Sequence, residues 1–405
     1  MSASGICFLG FRVYFKGMVV DLALNEARSP IPAPPPVRRP QLLHVLPSFA
    51  VGGVQVRLAR VINALGSRYR HRILALDGNT ACRSLIDDQL DVIAETAPPP
   101  RPLKELPSAL RIIRRDLRAA RPDLLLTYNW GSIEWAIANR LFPVAPHIHF
   151  EDGFGPEETE QRLTRRSMMR RWTLGRSKQI VVPSRTLETI ARDEWHLDPK
   201  RVHYIANGID ADNFVASGKT ASPLFARQPN EIIIGTVAPL RPEKNVGRLV
   251  RVFAQLHTDI PTRLAIAGGG AQRDEIEAMA RSLGVADRVI FLGSVAQPQR
   301  ALALFDIFAL SSNTEQMPMS VLEAMATGLP VVSVDVGDVK AMLADENSDL
   351  IVPKEREDSF ASALTALVLD PDRRWSLGAL NRLKVHTVYS WKAMVEEYER
   401  VFSTR

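Results

Sequence analysis

Glu315 and Glu323, set eight residues apart, carry the most suggestive spacing in this 405-residue sequence. They lie in Ser311 to Val332, S-S-N-T-E-Q-M-P-M-S-V-L-E-A-M-A-T-G-L-P-V-V, Glu315 on a loop after an apolar strand pattern and Glu323 inside the helix pattern that follows. A helix starting near Met319 leaves its first backbone N–H groups without intrahelical partners and presents the positive end of its dipole. The start Met317-Pro318-Met319-Ser320 therefore suits diphosphate oxygens. A carboxylate one turn further in can accept two hydroxyl donors, as a ribose diol presents them. Gly52 and Gly53 likewise follow an apolar run and precede a helix pattern; glycine there lets backbone amides approach a phosphate closely, although the pair alone reads equally well as a tight turn. Gly268, Gly269 and Gly270 follow another strand pattern and suggest a loop where backbone nears a ligand, without forming the G-x-G-x-x-G dinucleotide fingerprint.

These residues need elements to hold them, and from Gln41 onward short apolar runs alternate with helical patterns, as in a parallel sheet covered on both faces. Strands are expected at Leu42 to Leu46, Arg72 to Leu76, Leu124 to Tyr128, His147 to Phe150, Gln179 to Val182 and Val202 to Ile205. Helices are expected near Val54 to Leu65, Glu105 to Ala120, Glu158 to Leu174 and Arg185 to Glu194. Residues 211–230 collect Ser, Gly, Pro and Asn and read as a surface linker. Beyond it the alternation restarts, with strands at Glu231 to Gly235, Arg263 to Ala267, Arg288 to Phe291, Ile307 to Leu310 and Pro330 to Val334. Helices near Val246 to His257, Asp274 to Leu283, Met319 to Ala326 and Asp358 to Leu369 fill the gaps. A last helix, Trp391 to Phe402, has an apolar face to dock. The reading is thus an α/β chain of two Rossmann-like doubly wound domains, 41–210 and 231–385, facing a central cleft, with 386–405 free to pack back on the first.

Composition agrees with two cores: 46% hydrophobic and 24% charged residues. Residues 1–40 crowd six prolines between Pro30 and Pro40 and are set aside, either as a disordered segment or as a start placed too early, with Met18 the alternative. Ile6 to Val20 is broken by Arg12 and Lys16, too short to span a bilayer, and no small-residue cleavage site follows, so no signal peptide is expected. Cys7 and Cys82 stand far apart without histidine partners, which supports neither a disulfide framework nor a zinc site and fits a reducing cytoplasm. The formal charge of +6 is modest, but Arg162, Arg165, Arg166, Arg170 and Arg171 form one cluster and Arg111, Arg114, Arg115, Arg118 and Arg121 another. On helices these suit an anionic membrane surface, the inner face of the plasma membrane; a solvated helix face is the plainer alternative. Without interleaved aromatics they do not suit nucleic acid.

The Ser311 to Val332 segment resembles the C-terminal signature of the retaining glycosyltransferases of family 4, which have the GT-B fold. The resemblance rests on the two glutamates, the E-A-M-A-x-G-x-P-V-V continuation and its place after a strand, and it extends in order over nearly all of residues 41–402. Val182-Pro183-Ser184, then Asn207-Gly208-Ile209-Asp210 and Phe214, look like the family's segments closing the first domain. The resemblance implies that Lys244, in L-R-P-E-K-N, points at donor phosphates, and that the Gly52–Gly53 loop meets both donor and acceptor. Family members usually carry an arginine where this chain has Pro239, and Arg241 is the nearest substitute. They also place a histidine before a glycine where this chain reads H-I-H-F-E-D-G-F-G. Either Asp152 contacts the transferred sugar, or His149 reaches in from the strand end, with Glu151 competing. The implied function is metal-independent transfer of a sugar, with retention, from a nucleotide-diphosphate-sugar co-substrate to a glycan or lipid-linked acceptor, as in polysaccharide assembly. Glu315 would then hold sugar hydroxyls and Glu323 the ribose, no cofactor is implied, and front-face attack would use the leaving phosphate as base. An epimerase of the same fold, or a non-catalytic sugar-nucleotide binder, remains open.

Overall fold

The computed structural model of the chain describes residues 38–96, 105–154, 158, 162–214 and 225–403. Expectations for residues 1–37, for 215–224 of the linker and for 159–161 at the start of the third helix fall outside them. The first lobe is a seven-stranded parallel sheet in the order β3-β2-β1-β4-β5-β6-β7. Its strands are β1 Gln41–Leu46, β2 Arg70–Ala75, β3 Val92–Thr96, β4 Leu124–Tyr128, β5 His147–Phe150, β6 Gln179–Val182 and β7 Val202–Tyr204. Helices α1 Gly53–Leu65, α2 Leu106–Ala120, α3 Ile133–Leu141, α4 Thr164–Leu174 and α5 Arg185–Asp193 connect them. The five residues of β4 are all buried, which is why such strands read as unbroken apolar runs: helices cover both faces of the sheet.

The second lobe is a six-stranded parallel sheet in the order β10-β9-β8-β11-β12-β13. The strands are β8 Ile232–Val237, β9 Thr262–Ala267, β10 Val289–Gly293, β11 Ile307–Leu310, β12 Val331–Val334 and β13 Ile351–Val352. Its helices are α6 Val246–Ala254, α7 Arg273–Ser282, α8 Pro298–Leu302, α9 Met319–Thr327, α10 Val339–Met342, α11 Glu357–Leu369 and α12 Pro371–Val388. Strand order reverses between β1 and β4 in one sheet and between β8 and β11 in the other. At such a switch point adjacent loops leave in opposite directions and open a crevice at the strands' carboxyl ends.

Where the chain changes lobes, the structure corrects the linker expected at 211–230. Ile205 belongs to the first core, whereas Ile209, Ala211 and Phe214 are buried in the second, so the crossing lies between Ile205 and Ile209. Arg227 also lies against the second lobe, donating to Asp306 and to the Glu231 carbonyl. The chain recrosses at Ser390, and the two crossings are bonded together: Ile209 N–H donates to Tyr389 O at 2.9 Å and Trp391 N–H to Ile209 O at 3.1 Å. Helix α13, Trp391–Ser403, then fills the first core with Met394, Tyr398, Val401 and Phe402.

Phe402 is 4% exposed and packs edge-on against His44, Tyr69, Phe150 and Tyr398. Although it stands near the end of the chain, Phe402→Ala should cost about 3–5 kcal/mol of folding stability, as other large core truncations do. Urea unfolding checks this; a loss below about 1 kcal/mol, typical of surface changes, would mean α13 is peripheral.

Candidate functional site

Four loops at the two switch points, with the loop after β5 that carries Asp152 to Phe154, bring the candidate residues together. From the first lobe come the loop between β1 and α1 and the turn after β4; from the second, the loops after β8 and β11. They wall two adjoining cavities of about 460 and 620 Å³ that share Asp152, Arg241, Lys244 and Glu315. Gly52, Gly53, Met317, Pro318 and Met319 line the smaller; Asn129, Trp130, Phe154 and Arg166 line the larger.

Two helix starts open on the smaller cavity. Helix α1 is preceded by Gly52 in extended backbone and α9 by Pro318; neither has a side-chain cap or an acidic residue in its first turn. Their leading N–H groups and positive dipole ends are thus left for a ligand. A Cβ at Gly53 would meet nothing within 4 Å, so protein packing does not demand glycine there. Ser320, one residue into α9, is half-buried and lines neither cavity.

Lys244 ends the turn Pro242–Lys244, and its Nζ donates to Glu315 Oε1 at 2.6 Å; Ser312 Oγ donates to the same oxygen at 2.8 Å. The turn is tied to the loop after β11. Arg248 donates to Ser311 O and to Asn313 Oδ1, each at 2.9 Å, and Asn313 N–H donates to Glu243 O at 2.8 Å. Arg241 is exposed and lines both cavities. The glycines after β9, expected near a ligand, pack against this turn. A Cβ on Gly268 would strike the Ala238 carbonyl, and Gly269 O accepts from Leu240 N–H at 2.9 Å. They let the loop after β8 cross close by, and neither lines either of the two cavities described above.

Of the two alternatives before Gly153, Asp152 faces the cavities and His149 does not. His149 is 0% exposed. Its Nδ1 lies 2.8 Å from Thr127 Oγ1, which lies 2.7 Å from His147 Nε2, while His147 Nδ1 lies 2.9 Å from Ser177 Oγ. Burial, then the neighbouring His149, pushes His147 down to about 3, so it is neutral. Glu151 is equally buried, Oε2 accepting from Arg170 Nε at 3.1 Å; His149 and Glu151 are scaffold under the loop. Asp152 instead takes its backbone N–H to Asn129 Oδ1 at 2.7 Å and its Oδ1 to Arg57 of α1. Arg57 also donates to Asn207 Oδ1; burial opposes its charge, but Asp152 outweighs this and raises its pKa. Asp152 Oδ2 has no partner.

Glu323 is half-buried on α9, one helical turn from the cavity mouth, with Arg60 of α1 close enough to act on its charge. Burial dominates and pushes its carboxyl up to about 7. Spacing could not reveal Arg57, Asn129 or Asp338, because each is defined by partners distant in sequence, whereas Asn207 lies in the segment read as closing the first domain. Asp338 reaches across from the second lobe to the start of α5: Arg185 N–H donates to it at 2.5 Å, and Thr186 N–H and Oγ1 at 3.0 and 2.7 Å. Beside it Ser184 Oγ donates to Gln316 Oε1 at 3.0 Å, and Asn207 Nδ2 to Met317 O at 2.9 Å.

Two doubly wound parallel lobes, with the loops of both switch points closing on one crevice, define the GT-B architecture of glycosyltransferases. The same fold recurs in Anabaena HepE bound to UDP and glucose, with TM-score 0.77, 18% identity and 91% of this chain and 100% of that one covered. It recurs too in sucrose-phosphate synthase from Thermosynechococcus elongatus, with TM-score 0.74, 20% identity and 89% and 98% coverage. Residues 51–213 match the model of "Glycosyltransferase Family 4" and residues 222–383 that of "Glycosyl transferases group 1". The chain belongs to glycosyltransferase family 4. Among its relatives, D-inositol 3-phosphate glycosyltransferase from Stackebrandtia nassauensis is 28% identical over 64% of each chain. The enzyme of that name from Mycobacteroides abscessus is 31% identical over 49% of this chain and 45% of its own. The chain thus spans from about half to just under two thirds of the length of these curated relatives.

Two expected outcomes test this geometry. Since the Glu323 carboxyl titrates near pH 7 when folded but near 4.5 when unfolded, below pH 4.5 it is protonated in both states and costs nothing. As pH rises towards 7 the unfolded chain ionises first, and stability on the order of 3 kcal/mol is lost. Urea unfolding at pH 5 and pH 8 should show Glu323→Gln more stable than the parent at pH 8 and nearly equal at pH 5; parallel pH profiles would refute the assignment. Asp338→Ala, which strips the cross-lobe cap, should cost about 1–2 kcal/mol and widen the distribution of lobe separations in small-angle scattering. Unchanged scattering would show that Asp338 does not hold the lobes.

Proposed function

We propose that the chain transfers a glycosyl group from a nucleotide-diphosphate-sugar to an acceptor hydroxyl, with retention and without a metal ion. The observation that carries this reading is the convergence, on one cavity, of two uncapped helix starts from different lobes with Lys244 and Arg241. Such a site suits an extended dianion lying between the lobes. In this reading the diphosphate lies against the amides at Gly52–Gly53 and at Pro318–Met319, and Lys244 leaves Glu315 to meet it. Glu315, released, turns its oxygens to the sugar hydroxyls, and Glu323, ionised as the ribose hydroxyls reach it, accepts from the diol.

Charge growing on the leaving diphosphate is met by groups already oriented, so little reorganisation accompanies the reaction. Asp152 Oδ2, buried without a partner beside the cavity, accepts a hydroxyl of the transferred sugar, and Arg57 holds it in place. The acceptor enters by the larger cavity, past Trp130 and Arg166. It attacks from the face the diphosphate leaves, and a diphosphate oxygen takes its proton, which fits a site where no side-chain nucleophile and base stand paired. The relatives' name favours a phosphorylated polyol, and Arg166 gives that wall a cation; a glycan or lipid-linked sugar alcohol presents the same hydroxyl.

Calorimetry against UDP-glucose, GDP-mannose and related donors, then mass spectrometry of products formed with polyol phosphates or membrane extracts, tests the proposal. Lys244→Ala should lower kcat/KM by roughly 10²–10³-fold, the usual loss of one charge-stabilising donor, while folding stability stays nearly unchanged. Transfer unaffected by Lys244→Ala, or no donor bound by the parent, would remove it.

A further inference from the structure

The outer side of α4, with the end of α3 beside it, forms a surface that the transfer reading does not use. Four large apolar side chains stand out: Leu141 at 46%, Phe142 at 38%, Met168 at 67% and Trp172 at 44% exposure. Exposed apolar residues are ordinary when scattered, but these are joined by arginines. The Arg140 guanidinium lies 4.6 Å from the centre of the Trp172 ring and that of Arg114 4.3 Å from Phe142, which ties α2, α3 and α4 into one patch. Arg114 Nε and Arg140 Nη1 are themselves buried and have no hydrogen-bond partner among the described residues, so the accessible charge here is that of Arg165, Arg171 and Arg176. Burial first, then Arg176, lowers the pKa of Arg140, so Arg176 stands close to the same patch.

Charge on α4 is divided by side. Arg166 and Arg170 turn inward to Glu158 and Glu151, and Arg162, ahead of the helix, pairs with Glu194. Arg165, Met168 and Trp172 recur at helical spacing on the other side, flanked by exposed Arg171 and Arg176. No ion pair engages Arg165, Arg171 or Arg176 among the described residues, and no Asp or Glu occurs from Arg162 to Lys178. Apolar tips that can enter an acyl layer, ringed by unpaired guanidinium groups that match phosphate, make a surface complementary to an anionic interface.

We propose that this face docks on an anionic lipid bilayer. No helix among the described residues is long and apolar enough to cross a membrane, so attachment here is by surface contact. Arg166, on the opposite side of α4, lines the larger cavity; the bilayer then lies about one helix diameter, ~10 Å, from that cavity wall. Docking goes beyond the transfer reading and does not depend on it.

The test is sedimentation of the full chain with phosphatidylcholine vesicles, with and without phosphatidylglycerol. The parent should bind the anionic vesicles and not the neutral ones. Arg165→Glu with Arg171→Glu and Arg176→Glu should weaken binding at least tenfold. Met168→Ser with Trp172→Ser should abolish the part of the binding that survives high salt. Arg281→Glu with Lys340→Glu and Lys354→Glu, an equal change of charge on exposed positions of the second lobe, should leave binding near the parent's. Thermal unfolding of every variant reads the fold, and calorimetry with whichever donor the parent binds reads the donor site, so loss of docking is told apart from loss of fold or of transfer. Equal binding to neutral vesicles, equal weakening by the second-lobe triple, or pairing of the chain with itself through Trp172 in place of vesicle binding would each overturn the proposal.

Discussion

A carboxylate of one lobe caps a helix of the other, and the arrangement of the cleft follows from that contact. Asp338 accepts three hydrogen bonds from Arg185 and Thr186 at the start of α5, where backbone N–H groups have no partner of their own. A cap of this kind is directional and short, so it fixes distance as well as attraction. Gly337 allows it: at φ 54° its backbone passes the carbonyls of Glu315 and Gln316 so closely that a Cβ would meet them at 2.5 Å. The loop bearing Glu315 and the residue that caps the other lobe are therefore one packed unit.

Within the cleft, charge is arranged as pairs that can be exchanged. Lys244 is neutralised by Glu315 and Arg57 by Asp152, so neither cation is held in the cleft without a counter-charge. In the transfer reading proposed above, a dianion between the helix starts would compete for Lys244 and free the Glu315 carboxylate to accept from hydroxyls. Arg57 has less freedom, since Asn207 holds its other nitrogen and Asn207 is itself bonded to Met317.

Much of this was legible in the sequence, and the failures have physical causes. Strands buried on both faces, such as Leu124–Tyr128 and Ile307–Leu310, declare themselves by unbroken apolar runs. Strand β3 was missed because it is the sheet's edge: Ile93 is half exposed and the run V-I-A-E-T mixes polar and apolar positions. Helix α12 lay hidden for the opposite reason, since Trp375 and Leu383 face solvent and blur any apolar stripe. The start of the linker misled through composition, for Ala211 and Phe214 are core residues set in a polar neighbourhood. Glu315, Lys244 and the Met319 helix start were readable because loop and helix fix them locally. Asp152 and His149 could not be told apart, because both sides of β5 are buried and only the strand's end decides which side chain emerges into the cleft.

The arginines show best why counting charge along a sequence is not enough. Arg170 is fully buried between the rings of Trp130 and Trp195, each about 4.9 Å away, and is bonded to both Glu151 and Glu158. Burial alone would disfavour its charge, but the two carboxylates reverse this and raise its pKa. That buried network supports Trp130 and Phe154 where they line the larger cavity, so part of an apparent basic cluster is the floor of the cleft. What remains for the outside is decided by helical phase: residues 165, 168 and 172 fall on one side and 166 and 170 on the other. A single helix can in this way stiffen the wall of a binding site with one face and offer an arginine and aromatic surface with the other, and only the fold separates the two roles.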